Sequence, residues 1–111
     1  MTPSRLFVYG TLQDDALVAR LVGRRLPWRR AVLEGYRRTL DESIGYHVVH
    51  PSTGASVDGR VIETVDVAAL AALDAYEGTE YRRVVIEVRT HDGRTVDAYT
   101  YVPAEASRTS S

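Results

Sequence analysis

The strictest alternation of apolar and polar residues lies late in the chain, where Val84, Ile86 and Val88 are interleaved with Arg83, Glu87 and Arg89. Successive strand residues point to opposite faces, so this period of two predicts a half-buried strand over residues 82–90. Asp92-Gly93 is a favoured turn pair and returns the chain into a second strand over 95–102. Residues 5–9 are rich in aromatic and aliphatic side chains and stop at Gly10, which predicts a first strand. Residues 30–37 read as a strand in which Gly35 marks a bulge. Residues 46–50 and 56–64 read as two more, joined into a hairpin by the turn-forming run Pro51-Ser52-Thr53-Gly54.

Two segments carry a helical period instead. Leu17, Val18, Leu21 and Val22 follow i, i+3, i+4 spacing, with Asp14 or Asp15 available as a cap and Gly23 as a stop. Residues 65–76 are rich in alanine and leucine, with Asp66 as a cap, Gly78 as a stop, and Val67, Leu70, Ala71 and Leu73 as the apolar stripe. The order of elements predicts one α+β domain over residues 1–103. Its mostly antiparallel sheet can curl into a barrel flanked by two helices. Residues 104–111 are small, polar and aperiodic, and read as a flexible tail.

Composition narrows the chemistry. The 111 residues are 44% hydrophobic and 26% charged, with a net charge of -1, so no global field draws the chain to nucleic acid or an anionic membrane. There is no cysteine, and all 14 basic residues are arginine, so thiolate and Schiff-base lysine mechanisms are excluded. The first ten residues lack a charged leader followed by an apolar run, and no window is apolar enough to cross a bilayer; a cytoplasmic location is expected.

Two places can carry chemistry. In Tyr9-Gly10-Thr11-Leu12 a glycine directly after a strand lets the backbone approach a ligand, and successive N–H groups can converge on an anion. An ordinary strand-to-helix turn fits the same four residues. Glu77 lies seven residues after Leu70 and four after Leu73, so a helix reaching that far directs its carboxylate along the apolar stripe. Desolvation there would raise its pKa into the range of a general acid/base. The alternative is a solvated glutamate on the last turn before Gly78. Asp74, a heptad past Val67, suits a buried acceptor that braces the helix.

With these, a set of blocks in a fixed order resembles the gamma-glutamylcyclotransferase-like family, which includes gamma-glutamylamine cyclotransferases and the AIG2-like proteins. The blocks are Phe7-Val8-Tyr9-Gly10-Thr11-Leu12, Val57-Asp58-Gly59-Arg60-Val61, Leu73-Asp74-Ala75-Tyr76-Glu77-Gly78 followed by Tyr81-Arg82-Arg83, and Ala98-Tyr99-Thr100-Tyr101-Val102. The resemblance implies a mixed-sheet barrel with a cavity at one mouth. It implies that the loop matching Tyr9, Gly10, Thr11 and Leu12 holds the glutamyl part of a small-molecule substrate, and that the glutamate matching Glu77 is catalytic. It also implies cofactor-independent release of an amine as the gamma-glutamyl group cyclises to 5-oxoproline. Tyr81 is a candidate for the same pocket, and a core aromatic is the other reading of both Tyr81 and Tyr99. Arg83 is expected in a surface ion pair.

The match weakens at residues 37–43 and at Gly45-Tyr46-His47, where relatives carry Tyr-Pro and this chain has histidine in the proline place. Both stretches bear on substrate choice. His47 and His50, three apart on a strand, point to opposite faces and make no metal pair. Arg20, Arg24, Arg25, Arg29 and Arg30 around Trp28 form a basic patch, read as a solvated connection in preference to a nucleic-acid contact. The rival to an enzyme is a small-ligand-binding or scaffold protein that keeps the fold and pocket without turnover.

Overall fold

A computed structural model describes residues 4–41 and 46–103. The elements run β1 (Leu6–Val8), a 3-10 turn (Thr11–Gln13), α1 (Asp15–Val22), β2 (Trp28–Asp41), β3 (Tyr46–Ile62), α2 (Val67–Glu77), a second 3-10 turn (Gly78–Glu80), β4 (Tyr81–Thr90) and β5 (Thr95–Pro103). The strands close a barrel in the order β1-β3-β2-β4-β5. β1 pairs in parallel with β5, and the other neighbouring pairs are antiparallel. This is the α+β, mostly antiparallel barrel with two helices that the sequence predicts. The tail expected at 104–111 lies outside the described residues.

The three-residue β1 separates two cores, and its unbroken apolar run follows from that. Leu6 and Val8 face outward into a layer with Leu12, Val18, Leu26, Leu70 and Leu73, between the barrel and the helices. Phe7 and Tyr9 face inward, into a barrel interior filled by Ala31, Leu33, Val57, Val61, Val88 and Ala98. A strand buried on both faces cannot alternate.

Both helices start as capping chemistry dictates. The Asp14 side chain accepts from the N–H groups of Ala16 and Leu17, and the Asp66 side chain from that of Ala69. Gly23 closes α1 in the left-handed region, φ 91°. The stripe of α2 differs from expectation. Ala69, Leu70 and Leu73 are buried, whereas Val67 is 84% exposed and Ala71 is also in solvent. Helical spacing places 70, 73 and 77 together, while Val67, the first residue of α2, stands in solvent.

The hairpin expected at Pro51 to Gly54 is not there. β3 runs on from Tyr46 to Ile62, and its pairing with β2 extends to Asp41 opposite Tyr46. Glu34 pairs with Ser56 and Tyr36 with Pro51, so residues 52–55 bulge opposite Gly35 alone. Gly35 and Gly54 both sit at φ 84°, and these two glycines let one long ribbon bend where a hairpin was expected. The bulge at Gly35 is as the sequence predicts, and the one at 52–55 used the same turn-forming residues differently. The predicted hairpin of β4 and β5 is present, with Gly93 at φ 88° and Thr90 N–H donating to Arg94 C=O at 2.8 Å.

Gly59 is required by close approach. A Cβ there would stand 2.3 Å from the Val8 carbonyl oxygen and 2.7 Å from the Phe7 ring, because β3 crosses β1 with no room between them. Among the described residues, no helix is long and apolar enough to cross a membrane.

Candidate active site

The last turn of α2 delivers Glu77 to the barrel. Gly78 follows at φ 72°, donates its N–H to the Asp74 carbonyl and ends the helix, so Glu77 is its final residue. Leu70 and Leu73 pull that face of the helix into the apolar layer, and Glu77 follows them to a half-buried position. Burial disfavours its charged form and pushes its carboxyl up to about 7. The desolvation expected from spacing is present, and the solvated alternative is not.

Two tyrosines, Tyr9 and Tyr101, feel this carboxyl electrostatically, and a third, Tyr81, acts on Tyr9. Tyr9 comes from the end of β1, Tyr81 from the start of β4 and Tyr101 from β5. The phenols of Tyr9 and Tyr101 are both pushed up, first by burial; the nearby Glu77 charge adds to each, and Tyr81 adds to Tyr9. They stay protonated at any ordinary pH, so each keeps a hydrogen to donate while its oxygen can still accept. Tyr9 donates its hydroxyl hydrogen to the Tyr101 carbonyl at 2.6 Å. Tyr81 is half-buried, and its side chain borders an open depression with Asp74, Gly78, Arg83 and Tyr101.

The loop after β1 lies against the same helix end. Its 3-10 turn begins with Gln13 N–H donating to the Gly10 carbonyl at 3.0 Å, followed by Asp14 N–H to Thr11 at 3.1 Å. The N–H groups of Thr11 and Leu12 precede the first of these bonds, as in the opening of any helical turn. Leu12 is buried among the apolar residues beneath α1, which anchors the turn. Thr11 is exposed, with its hydroxyl 3.3 Å from that of Tyr76, the neighbour of Glu77. Tyr9 thus lies close enough to Glu77 and Tyr81 to feel their charge, and Thr11 meets the same helix end through Tyr76, while Leu12 is buried beneath α1.

Several residues escaped the sequence reading. Arg38 donates to the Tyr9 carbonyl at 2.8 Å and ties β2 to the start of the loop. Nothing in the local pattern of residues 37–41 marks it, because its partner is 29 positions away. Asp74 is an acceptor, as expected, but its side chain is partly exposed rather than buried and it serves two strands: it takes two hydrogen bonds from Arg83, at 3.0 and 3.1 Å, and one from the Tyr101 hydroxyl at 2.6 Å. The Arg83 pair is partly exposed, as an ion pair at the surface was expected to be, and its guanidinium lies 4.4 Å from the Tyr99 ring centre. The basic patch is largely neutralised. Arg24 pairs with Asp66, Arg25 with Asp15 and Arg29 with Glu63, while Trp28 is covered by Arg60 at 3.8 Å. The side chain of His47 lies outside the described residues.

Comparison with known proteins accords with this fold. The model of the family described as gamma-glutamyl cyclotransferase, AIG2-like, matches residues 6–111. The Arabidopsis thaliana protein AIG2 C is 36% identical over 87% of this chain and 59% of its own length. A solution structure from Arabidopsis thaliana superposes with a TM-score of 0.85 at 32% identity, covering 95% of this chain and 64% of that one. A solved gamma-glutamyl cyclotransferase shares the fold with a TM-score of 0.77 at 18% identity, over 89% of this chain and 65% of that one. The chain spans about three fifths of the length of AIG2 C.

Proposed function

The chain belongs to the gamma-glutamyl cyclotransferase, AIG2-like family, and we propose from this that it is a cofactor-independent cyclotransferase acting on a gamma-glutamyl amine or peptide, with Glu77 as its acid/base. The observation that carries the reading is the half-buried Glu77 carboxyl, raised to about 7 by desolvation, at the end of the helix whose Tyr76 hydroxyl lies 3.3 Å from that of Thr11 in the loop.

The reaction needs little from the protein beyond placement. The α-amine of the glutamyl group attacks its own γ-carbonyl carbon, a new C–N bond closes the five-membered ring, and the old amide C–N bond breaks to release the amine. Ionised Glu77 takes a proton from the α-ammonium and returns it to the departing nitrogen. The second proton, shed by the ring nitrogen as the lactam forms, ends on the released amine, which leaves as an ammonium, so no net proton is consumed. A carboxyl near 7 is divided between both forms at neutral pH, as that double duty requires. Holding the flexible glutamyl chain in its ring-forming geometry lowers the barrier by several kcal/mol, on the order of 5. The N–H groups of Thr11 and Leu12 suit a carboxylate or the developing oxyanion. The protonated phenols of Tyr9 and Tyr101 leave Glu77 as the group nearest its working pKa.

The test is incubation of the pure protein in the cytoplasmic pH range with a panel of gamma-glutamyl amines and dipeptides, following 5-oxoproline by mass spectrometry. Formation of 5-oxoproline from one class identifies the substrate. Saturable binding of panel members without 5-oxoproline would instead identify a ligand-binding protein on the same fold.

A further inference from the structure

The ion pair between Asp74 and Arg83 has no role in the reaction as written, yet it sits one helical turn before Glu77. Residues three apart share a helix face, so whatever holds Asp74 also fixes the turn that carries Glu77. Both Asp74 oxygens are engaged. Oδ1 accepts from Arg83 Nε at 3.0 Å and from the Tyr101 hydroxyl at 2.6 Å, and Oδ2 accepts from Arg83 Nη2 at 3.1 Å. Arg83 and Tyr101 are directly paired across β4 and β5, so a single carboxylate clamps two adjacent strands to the helix end. The connection continues inward, because the Tyr101 carbonyl accepts the Tyr9 hydroxyl at 2.6 Å.

Stability alone does not account for this arrangement. The Asp74 side chain is 40% exposed and that of Arg83 28%, and exposed ion pairs contribute about 1 kcal/mol or less. What the bidentate geometry supplies is orientation. The last turn of α2 also lacks a basic residue of its own, so Arg83 brings the cation from β4 to the negative end of the helix.

We propose that Asp74, held by Arg83 and Tyr101, is a positioning residue that keeps the final turn of α2 on the barrel and so keeps the Glu77 carboxyl out of water; this rests on Glu77 being the acid/base group. The groups facing Glu77 or its turn are Tyr9 at the end of β1, Tyr81 and Arg83 from β4, Tyr101 from β5, and Asp74 on α2 itself. Simple charge effects and positioning predict opposite signs for one substitution. Loss of the Arg83 cation by charge alone would raise the Glu77 midpoint, whereas loss of its grip admits water and lowers it.

The experiment is a carbon-detected NMR titration of the Glu77 carboxyl in the ligand-free protein, assigned with Glu77→Gln, for wild type, Arg83→Met, Arg83→Lys and Tyr101→Phe. The wild-type midpoint is expected near 7. It should fall by about one pH unit or more in Arg83→Met, fall also in Tyr101→Phe, where no charge changes, and be partly restored in Arg83→Lys. A midpoint unchanged or raised in Arg83→Met and unchanged in Tyr101→Phe would overturn the positioning role. Should Arg83→Met not fold, Tyr101→Phe decides alone. A wild-type midpoint in the ordinary carboxylate range would instead sink the acid/base reading of Glu77, so the two failures are distinguishable without any turnover.

Discussion

The Tyr9 hydroxyl donates to the main-chain carbonyl of Tyr101 at 2.6 Å, across 92 residues of sequence, and joins the parallel pair β1 and β5 from inside the barrel. β1 and β5 share a single registered pair, Leu6 with Tyr99, so the closure there depends on bonds of this kind. Tyr9→Phe keeps the ring and leaves the carbonyl short of a donor in a buried place. A loss of about 1 to 2 kcal/mol is expected in urea unfolding. No loss would mean that water or another donor replaces the hydroxyl without cost.

Glu77 also carries a stability signature. Its carboxyl titrates near 7 in the folded chain against 4.5 when unperturbed, so between those values the folded state binds more protons than the unfolded one. Stability contributed by this group is therefore complete below about pH 4.5, falls as pH rises through 7, and stays lost above. Glu77→Gln removes the titration. At pH 8 the variant should be more stable than wild type by about 1 to 2 kcal/mol, after discounting for partial solvent contact, and the advantage should vanish at pH 4.5. Thermal or urea melts at the two pH values measure it, and parallel pH dependence in both proteins would contradict the burial of Glu77.

Gly59→Ala should be among the most damaging small substitutions. Its new methyl would meet the Val8 carbonyl at 2.3 Å, and backbone of β1 cannot move aside without opening the barrel. A loss of about 3 kcal/mol or more, or failure to accumulate folded protein, is expected. Circular dichroism of the purified variant shows which. A near-native melt would mean that β1 and β3 can separate more easily than their packing suggests.

The parts legible in the sequence are those whose cause is local. Period-two alternation and Asp92-Gly93 specified β4 and β5, and Asp14, Asp66, Gly23 and Gly78 bounded the helices, because each acts through its nearest neighbours. Glu77 was legible from its spacing to Leu70 and Leu73, even though the same reading misassigned Val67 to the buried stripe. Pro51 to Gly54 misled because turn-forming residues serve a bulge as readily as a hairpin, and only the pairing partner, Gly35, decides between them. The bonds of Arg38 to Tyr9, and of Asp74 to Arg83 and Tyr101, depend on barrel closure and leave no periodic trace.

Glu77 as acid/base is the center of the account, and the pH dependence of kcat/KM for 5-oxoproline release, wild type beside Glu77→Gln, tests it most directly. The wild-type profile should rise with pH through an apparent pKa near 7 as Glu77 ionises. The variant should be slower by about 10²- to 10⁴-fold, with that limb absent. A variant that retains the wild-type rate and the same limb would contradict the claim.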